Sequence, residues 1–370
     1  MHKKLKVGIL LDDSLDAPDG VQQYVLTIGN WLNKNGHSVY YIVGQTDRKD
    51  INNVYSLAKN IRVSFNENTM RIPYYSSISN IKNVLETLDL DVLHVQMPYS
   101  PIYAGKVINN VSNNVNVVAT FHIAPASHIV TKASKILSYF SNKSVNRINN
   151  FISVSKAAQQ FAYDTYGIKS SVLPCVITAN NLVHKPVYEN TPHLVFLGRL
   201  VKRKGAIYLL NALAQLNKEY KLPYKVSIGG KGAYLDKLQL FAKQNYLNNV
   251  EFLGFVSEEE KVSLLASADI AVFPSTGGES FGIVLLEAMA AGARVVLGGD
   301  NPGYSGVLGG YPKQLIDPRN TIEFANRLKY FLENSSFRND AYIWNQKEYK
   351  KYDIDIVGND ILKIYYKHKK

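Results

Sequence analysis

The segment GGESFGIVLLEAMAAGA, residues 277–293, carries two acids in apolar surroundings: Glu279 beside glycines, and Glu287 eight positions later. Ile283, Val284, Leu286, Met289 and Ala290 recur at helical spacing, which predicts a buried helix. Burying an acid costs free energy unless something polar meets it, so the pair predicts a held polar group. In one continuous helix the two acids would stand about 12 Å apart, with helix-start amides at Ser280 to Ile283 beside the first. A ligand with hydroxyls at each end and anionic charge between them matches that layout, as a nucleotide-sugar does. Two solvated glutamates on a helix surface are the plainer alternative, and the apolar flanks count against it.

Other candidates fall just after apolar runs. The basic knot of Arg199, Lys202, Arg203 and Lys204 follows HLVFLG and suits a diphosphate, arginine as a planar fork and lysine as a compact charge. A solvated turn explains that segment equally well. His122 follows NVVATF, and Gly20 opens a helical pattern after DDSLDAPD, where a backbone N–H and a helix's positive end can meet phosphate. The piece IGGKGAY has neither the Walker spacing nor GxGxxG, and it reads as a tight turn.

These positions need elements to hold them. The runs KVGILL, HSVYYIVG, DVLHVQ, NVVATFH and FISVS predict strands, interleaved with helical patterns such as QQYVLTIGNWLNKNG and KAAQQFAYDTYG. A second series begins near His193, where strands HLVFLG, YKVSIGG, VEFLGF, DIAVFPS and ARVVLGG alternate with helices. Ser257 and Glu260 predict a capping box on one of them. Such alternation predicts an α/β fold of two doubly wound parallel sheets. Residues 1–180 would form one domain and 190–345 the other, joined through the polar stretch 177–192. Ligands of open α/β sheets sit beyond the carboxyl ends of the strands, so two such domains would face each other across a binding cleft.

Composition narrows the classes. The 370 residues, 46% hydrophobic and 19% charged, describe a globular protein with room for two domains. No apolar run of about 18 residues predicts a transmembrane helix. The opening MHKKLKVGILLDDS lacks a small-residue cleavage site and reads as a first strand. Cys175 is the single cysteine, which fits a reducing compartment and predicts a cytoplasmic location. A net charge of +12 favours anionic partners: small molecules or an acidic membrane face. Nucleic acid is not expected, because no zinc-finger, RNP or helix-turn-helix pattern occurs. The stretch TKASKILSYFSNKSVNRI mixes basic and apolar residues as an interfacial helix does, or as an ordinary packed helix does.

Taken in order, DAPDGVQQYVL, DVLHVQMP, VVATFH, FLGRLVKRKG, VEFLGFVSEEEK and TGGESFGIVLLEAMAAGA resemble the retaining GT-B glycosyltransferases of family 4. Within the family the likeness is greatest to phosphatidylinositol mannosyltransferases. The last segment contains the family's E-x7-E signature as Glu279 and Glu287. The resemblance implies a GT-B fold of two Rossmann-like domains, the N-terminal one for the acceptor and the C-terminal one for the nucleotide-sugar. A C-terminal helix, residues 350–370, would return to the first domain. Glu279 would grip the transferred sugar with the backbone of Ser280, Phe281 and Gly282, and Glu287 would bind the ribose. Arg199 and Lys204 would neutralise the diphosphate, helped by the amides of Gly20 and Ile283, while Phe255 and Val256 flank the base.

His122 would contact the sugar near the reacting carbon, so the implied catalytic set is His122, Arg199, Lys204 and Glu279. Gln22 and Gln96 are the acceptor-side candidates. No metal or cofactor is implied; the donor is GDP-mannose before a UDP-sugar, and the acceptor a membrane lipid or a growing glycan. Three features depart from the inositol-lipid enzymes: Asp19 in the first loop, Ile123 after His122, and a segment SSISNIKNVLETLD without a dense basic cluster. A sugar-nucleotide epimerase and a non-catalytic binding scaffold are the rival readings. An epimerase would alter the donor without an acceptor.

Overall fold

The computed structural model describes residues 3–16, 19–65, 68–97, 102–123, 143–179, 182 and 190–367. The chain forms two compact units, residues 1–176 with 354–370, and residues 177–353. Most of the 177–192 stretch, and residues 131–142 of the basic-apolar stretch, lie outside the described residues. No described helix is long and apolar enough to cross a membrane.

In the first unit, strands β1 (Lys6–Leu11), β2 (Ser38–Val43), β3 (Val54–Ser56), β6 (Val92–Gln96), β7 (Asn116–Phe121), β8 (Asn150–Ser153) and β9 (Ser171–Val172) build a parallel sheet. Their order is β3-β2-β1-β6-β7-β8-β9. β4 (Lys59–Phe65) and β5 (Asn68–Tyr75) form a separate antiparallel hairpin. Among the described residues its helices include α1 (Gly20–Lys34), α2 (Ile78–Leu88), α3 (Ala104–Asn110) and α4 (Lys156–Tyr166). Strands β6 and β7 are buried along their whole length, as central strands covered on both faces must be.

The second unit repeats the plan. Strands β10 (His193–Leu197), β11 (Lys225–Gly229), β12 (Val250–Gly254), β13 (Ile270–Phe273), β14 (Val295–Gly299) and β15 (Leu315–Ile316) stand in the order β12-β11-β10-β13-β14-β15, all parallel. Between and after them run α5 (Ala206–Glu219), α6 (Leu235–Gln244), α7 (Glu258–Ala266), α8 (Ile283–Ala291), α9 (Pro302–Leu308), α10 (Thr321–Glu333) and α11 (Ser335–Glu348). The expected capping box forms at the start of α7: Ser257 Oγ accepts from the Glu260 amide, and the Glu260 carboxylate accepts from the Ser257 amide at 2.8 Å.

The last helix, α12 (Ile354–Tyr366), belongs to the first unit, as expected for the C-terminal helix. Trp31 Nε1 of α1 donates to Asp355 at 2.7 Å, and the Trp31 ring lies so close to Gly358 that a Cβ there would stand 2.8 Å from it. Asn116 Nδ2 donates to the Tyr365 carbonyl at 2.9 Å, and the Tyr365 hydroxyl meets His94 Nδ1 at 2.7 Å.

Candidate active site

In the second unit the connections run outward in opposite directions from β10 and β13, which pair with each other. This is the switch point of the sheet, where adjacent strand-end loops part and leave a crevice. The loop after β10 carries Arg199 and the short turn Lys202–Lys204, and the loop after β13 carries Pro274 to Gly282. Gly205, at φ 81°, lets the two loops touch: a Cβ there would stand 1.9 Å from the Pro274 carbonyl oxygen. The Thr276 amide donates to the Arg203 carbonyl at 3.0 Å and secures the contact.

Three donors converge on Glu279 Oε1: Arg203 Nη1 at 2.5 Å, Ser275 Oγ at 2.7 Å and Lys204 Nζ at 2.9 Å. Burial alone would raise the carboxyl's proton affinity, but Lys204 and Arg203 outweigh it and hold the pKa down to about 2. Glu279 is therefore ionised at every physiological pH. Lys204 and Glu279, both expected at the site, are brought together. Arg199 lies half-buried on the same loop as Lys204.

One expectation is corrected. Helix α8 starts at Ile283, so Glu279 lies four residues before the helix and the continuous-helix spacing to Glu287 does not apply. Gly277, Gly278 and Gly282 all have positive φ, and the loop they shape cannot continue as helix. At Gly282 (φ 115°) a Cβ would meet the Tyr304 ring at 2.7 Å. Ser280 lies half-buried in the loop, and Phe281 is buried with its ring edge-on to Tyr352 at 5.6 Å. Ile283 supplies the first helical amide.

Glu287 sits on α8 and pairs with Lys261 of α7, Nζ to Oε1 at 2.9 Å, while Lys261 also meets Glu258 at 2.6 Å. Past β12, Phe255 is 67% exposed with the Lys231 ammonium 5.3 Å from its ring centroid, and Val256 is half-buried beside it. Sequence reasoning missed Lys261 and Ser275. It also left Arg203 inside the basic knot, because nothing in VKRKG says which of three neighbouring cations faces the acid.

In the first unit Gly20 begins α1 behind an exposed Asp19, whose side chain makes no cap bond. His122 lies at the end of β7, buried, with Nε2 2.7 Å from Gln96 Oε1 and its ring edge-on to Tyr24 at 4.9 Å. An amide oxygen only accepts, so Nε2 carries the proton and Nδ1 the lone pair. Gln96 itself is fully buried. Gln22 is also buried and donates to the Ser14 carbonyl at 3.1 Å.

His94 is buried too, between the Tyr365 hydroxyl and Thr120 Oγ1, each at 2.7 Å. Burial lowers the pKa of both His94 and His122 to about 3, from an ordinary 6.5, with His94 adding to the effect on His122. Between those values the unfolded chain binds more protons than the folded one, so stability rises with pH across that window. Each histidine contributes up to about 1.4 kcal/mol per pH unit. Asp13, raised to about 6 by burial, opposes them between its ordinary 3.8 and that value. Denaturant unfolding is expected to show stability falling as pH drops from 6.5 toward 4, with net proton uptake on unfolding at pH 5; a flat profile would contradict this.

Residues 18–180 match the model of Glycosyltransferase Family 4, and residues 180–348 that of the glycosyl transferases group 1. The chain is 32% identical over 311 residues to the phosphatidyl-myo-inositol mannosyltransferase of Propionibacterium freudenreichii, covering 79% of this chain and 76% of that one. It is 28% identical over 371 residues to the protein of that name from Mycobacterium leprae, covering 98% and 96%. Among solved structures, the HepE protein of Anabaena in complex with UDP and glucose has a TM-score of 0.77 at 17% identity, covering 98% of this chain and 100% of that one. A glycosyltransferase from Rickettsia africae has a TM-score of 0.76 at 16% identity over the whole of both chains.

The fold is thus GT-B, and the protein is a sugar-transferring enzyme using a nucleotide-sugar donor. More narrowly, the chain belongs to glycosyltransferase family 4, a retaining family.

Proposed function

We propose that the enzyme moves a hexose, with mannose first among candidates, from a nucleoside-diphosphate sugar to a hydroxyl of a lipid or glycan. The observation that carries this reading is the convergence of Lys204 and Arg203 on the Glu279 carboxylate at the switch point. A cation beside an acid, Lys204 beside Glu279, suits the two halves of a sugar diphosphate. Relatives named phosphatidyl-myo-inositol mannosyltransferase support mannose and a lipid acceptor.

In this reading the bond from the anomeric carbon to the β-phosphate oxygen breaks, and the acceptor oxygen bonds to that carbon on the same face. Arg199 and Lys204 stabilise the charge growing on the departing phosphate, which takes the acceptor's proton. Glu279 holds sugar hydroxyls, with the backbone of Ser280, Phe281 and Gly282. Glu287 holds the ribose, Phe255 and Val256 flank the base, and the amides of Gly20 and Ile283 meet the diphosphate. His122, neutral and with its lone pair on Nδ1, accepts a hydrogen bond from the sugar. The reaction takes place on the cytoplasmic side, at the membrane surface where the acceptor is a lipid.

A thermal-shift panel of GDP-mannose, UDP-glucose, UDP-N-acetylglucosamine and ADP-glucose tests the reading. A donor at a hundred times its Kd stabilises by about 2.7 kcal/mol, and GDP-mannose is expected to raise Tm most. A flat Tm with all four donors would sink the proposal. Release of an altered nucleotide-sugar from donor alone would move the enzyme to the epimerases.

A further inference from the structure

We propose that Arg203 is a positioning residue for the sugar-gripping carboxylate, acting through Glu279 rather than on the donor's phosphates. The inference rests on the reading that Glu279 holds the transferred sugar. Arg203 grips the whole loop that carries Glu279. Its carbonyl accepts from the Thr276 amide at 3.0 Å. Its guanidinium Nη1 reaches the Gly277 carbonyl at 3.3 Å, the Gly278 carbonyl at 3.5 Å and Glu279 Oε1 at 2.5 Å.

Arg203 thus fastens residues 276–279, whereas Lys204 meets the same carboxylate through one ammonium contact at 2.9 Å. Ser275, 1% exposed, donates its hydroxyl to the same oxygen at 2.7 Å. All three donors fall on Oε1, which leaves Oε2 for the sugar. The loop contains two glycines of positive φ and has little stiffness of its own. Once Lys204 turns to the diphosphate, Arg203 and Ser275 keep the carboxylate in place. The two carbonyls and the carboxylate all meet one terminal nitrogen, Nη1, which lies one bond beyond the reach of a lysine's Nζ.

Calorimetry on the full-length protein separates this role from phosphate binding, using the nucleotide-sugar chosen by the donor panel and its nucleoside diphosphate. In Arg203→Met and Arg203→Lys, the Kd for the nucleotide-sugar is expected to rise about 10- to 50-fold, while that for the nucleoside diphosphate stays within about twofold. Ser275→Ala should show the same selectivity with a smaller rise, and it serves as the milder variant if Arg203→Met folds poorly. In a Glu279→Gln background, Arg203→Met should add less than about threefold, because the two residues act as a unit. A parallel loss of both ligands would assign Arg203 to the phosphates or to the general fold, and unchanged affinities would remove it from the site; either overturns the proposal. Failure of the unaltered protein to bind any nucleotide-sugar would instead bring down the functional reading beneath it.

Discussion

Glu279→Ala is expected to lower kcat/KM by about 100- to 1,000-fold, the range seen when one preorganised polar contact is removed from a transfer site. The motive is geometric: Glu279 is only 13% exposed, ionised, and held by a hydroxyl and two cations at the sheet's switch point. Alanine would remove the sugar contact and also leave Arg203 and Lys204, 17% and 21% exposed, without their counter-charge. That second effect costs about 1–3 kcal/mol of stability. Glu279→Gln separates the two, since the amide can still accept a hydrogen bond while the charge is gone. Initial rates and Tm of both variants test this hypothesis; alanine activity within about threefold of the parent enzyme would remove Glu279 from the site.

Gly205→Ala is expected to be among the most damaging single methyl additions in the second unit, costing about 2–4 kcal/mol. Two effects add there. The residue sits at φ 81°, a conformation that L side chains seldom adopt, and the new Cβ would lie 1.9 Å from the Pro274 oxygen. Backbone on both sides leaves no flexible side chain to yield. The loops must part, and they part where Arg203 meets Thr276 and Glu279. Denaturant unfolding should show the stability loss, and donor affinity should fall with it. A variant of unchanged stability would contradict the close packing of these loops.

Much of this architecture was legible in the residues. Each five- or six-residue apolar run that predicted a central strand forms one, because a parallel strand buried on both faces is mostly apolar. Less visible were β3, the β4–β5 hairpin and β15, with no apolar run to announce them. Lys204 and Glu279, 75 positions apart, could be joined only by assuming that β10 and β13 are neighbours. Periodicity also extended α8 back to Glu279, since it ignores what three glycines of positive φ do to the backbone. Cations are interchangeable to a reader of VKRKG, and only the turn at Lys202–Lys204 decides which two face the acid.

Helix α12 has a consequence for biosynthesis. The first unit's sheet is translated early, yet His94 and Asn116 find Tyr365 only when residues 354–366 have left the ribosome, after the whole second unit. Until then His94 Nδ1 and Asn116 Nδ2 lack these partners and the Trp31 side of α1 is bare. Completion of the first unit therefore requires synthesis of the second, although each has its own core.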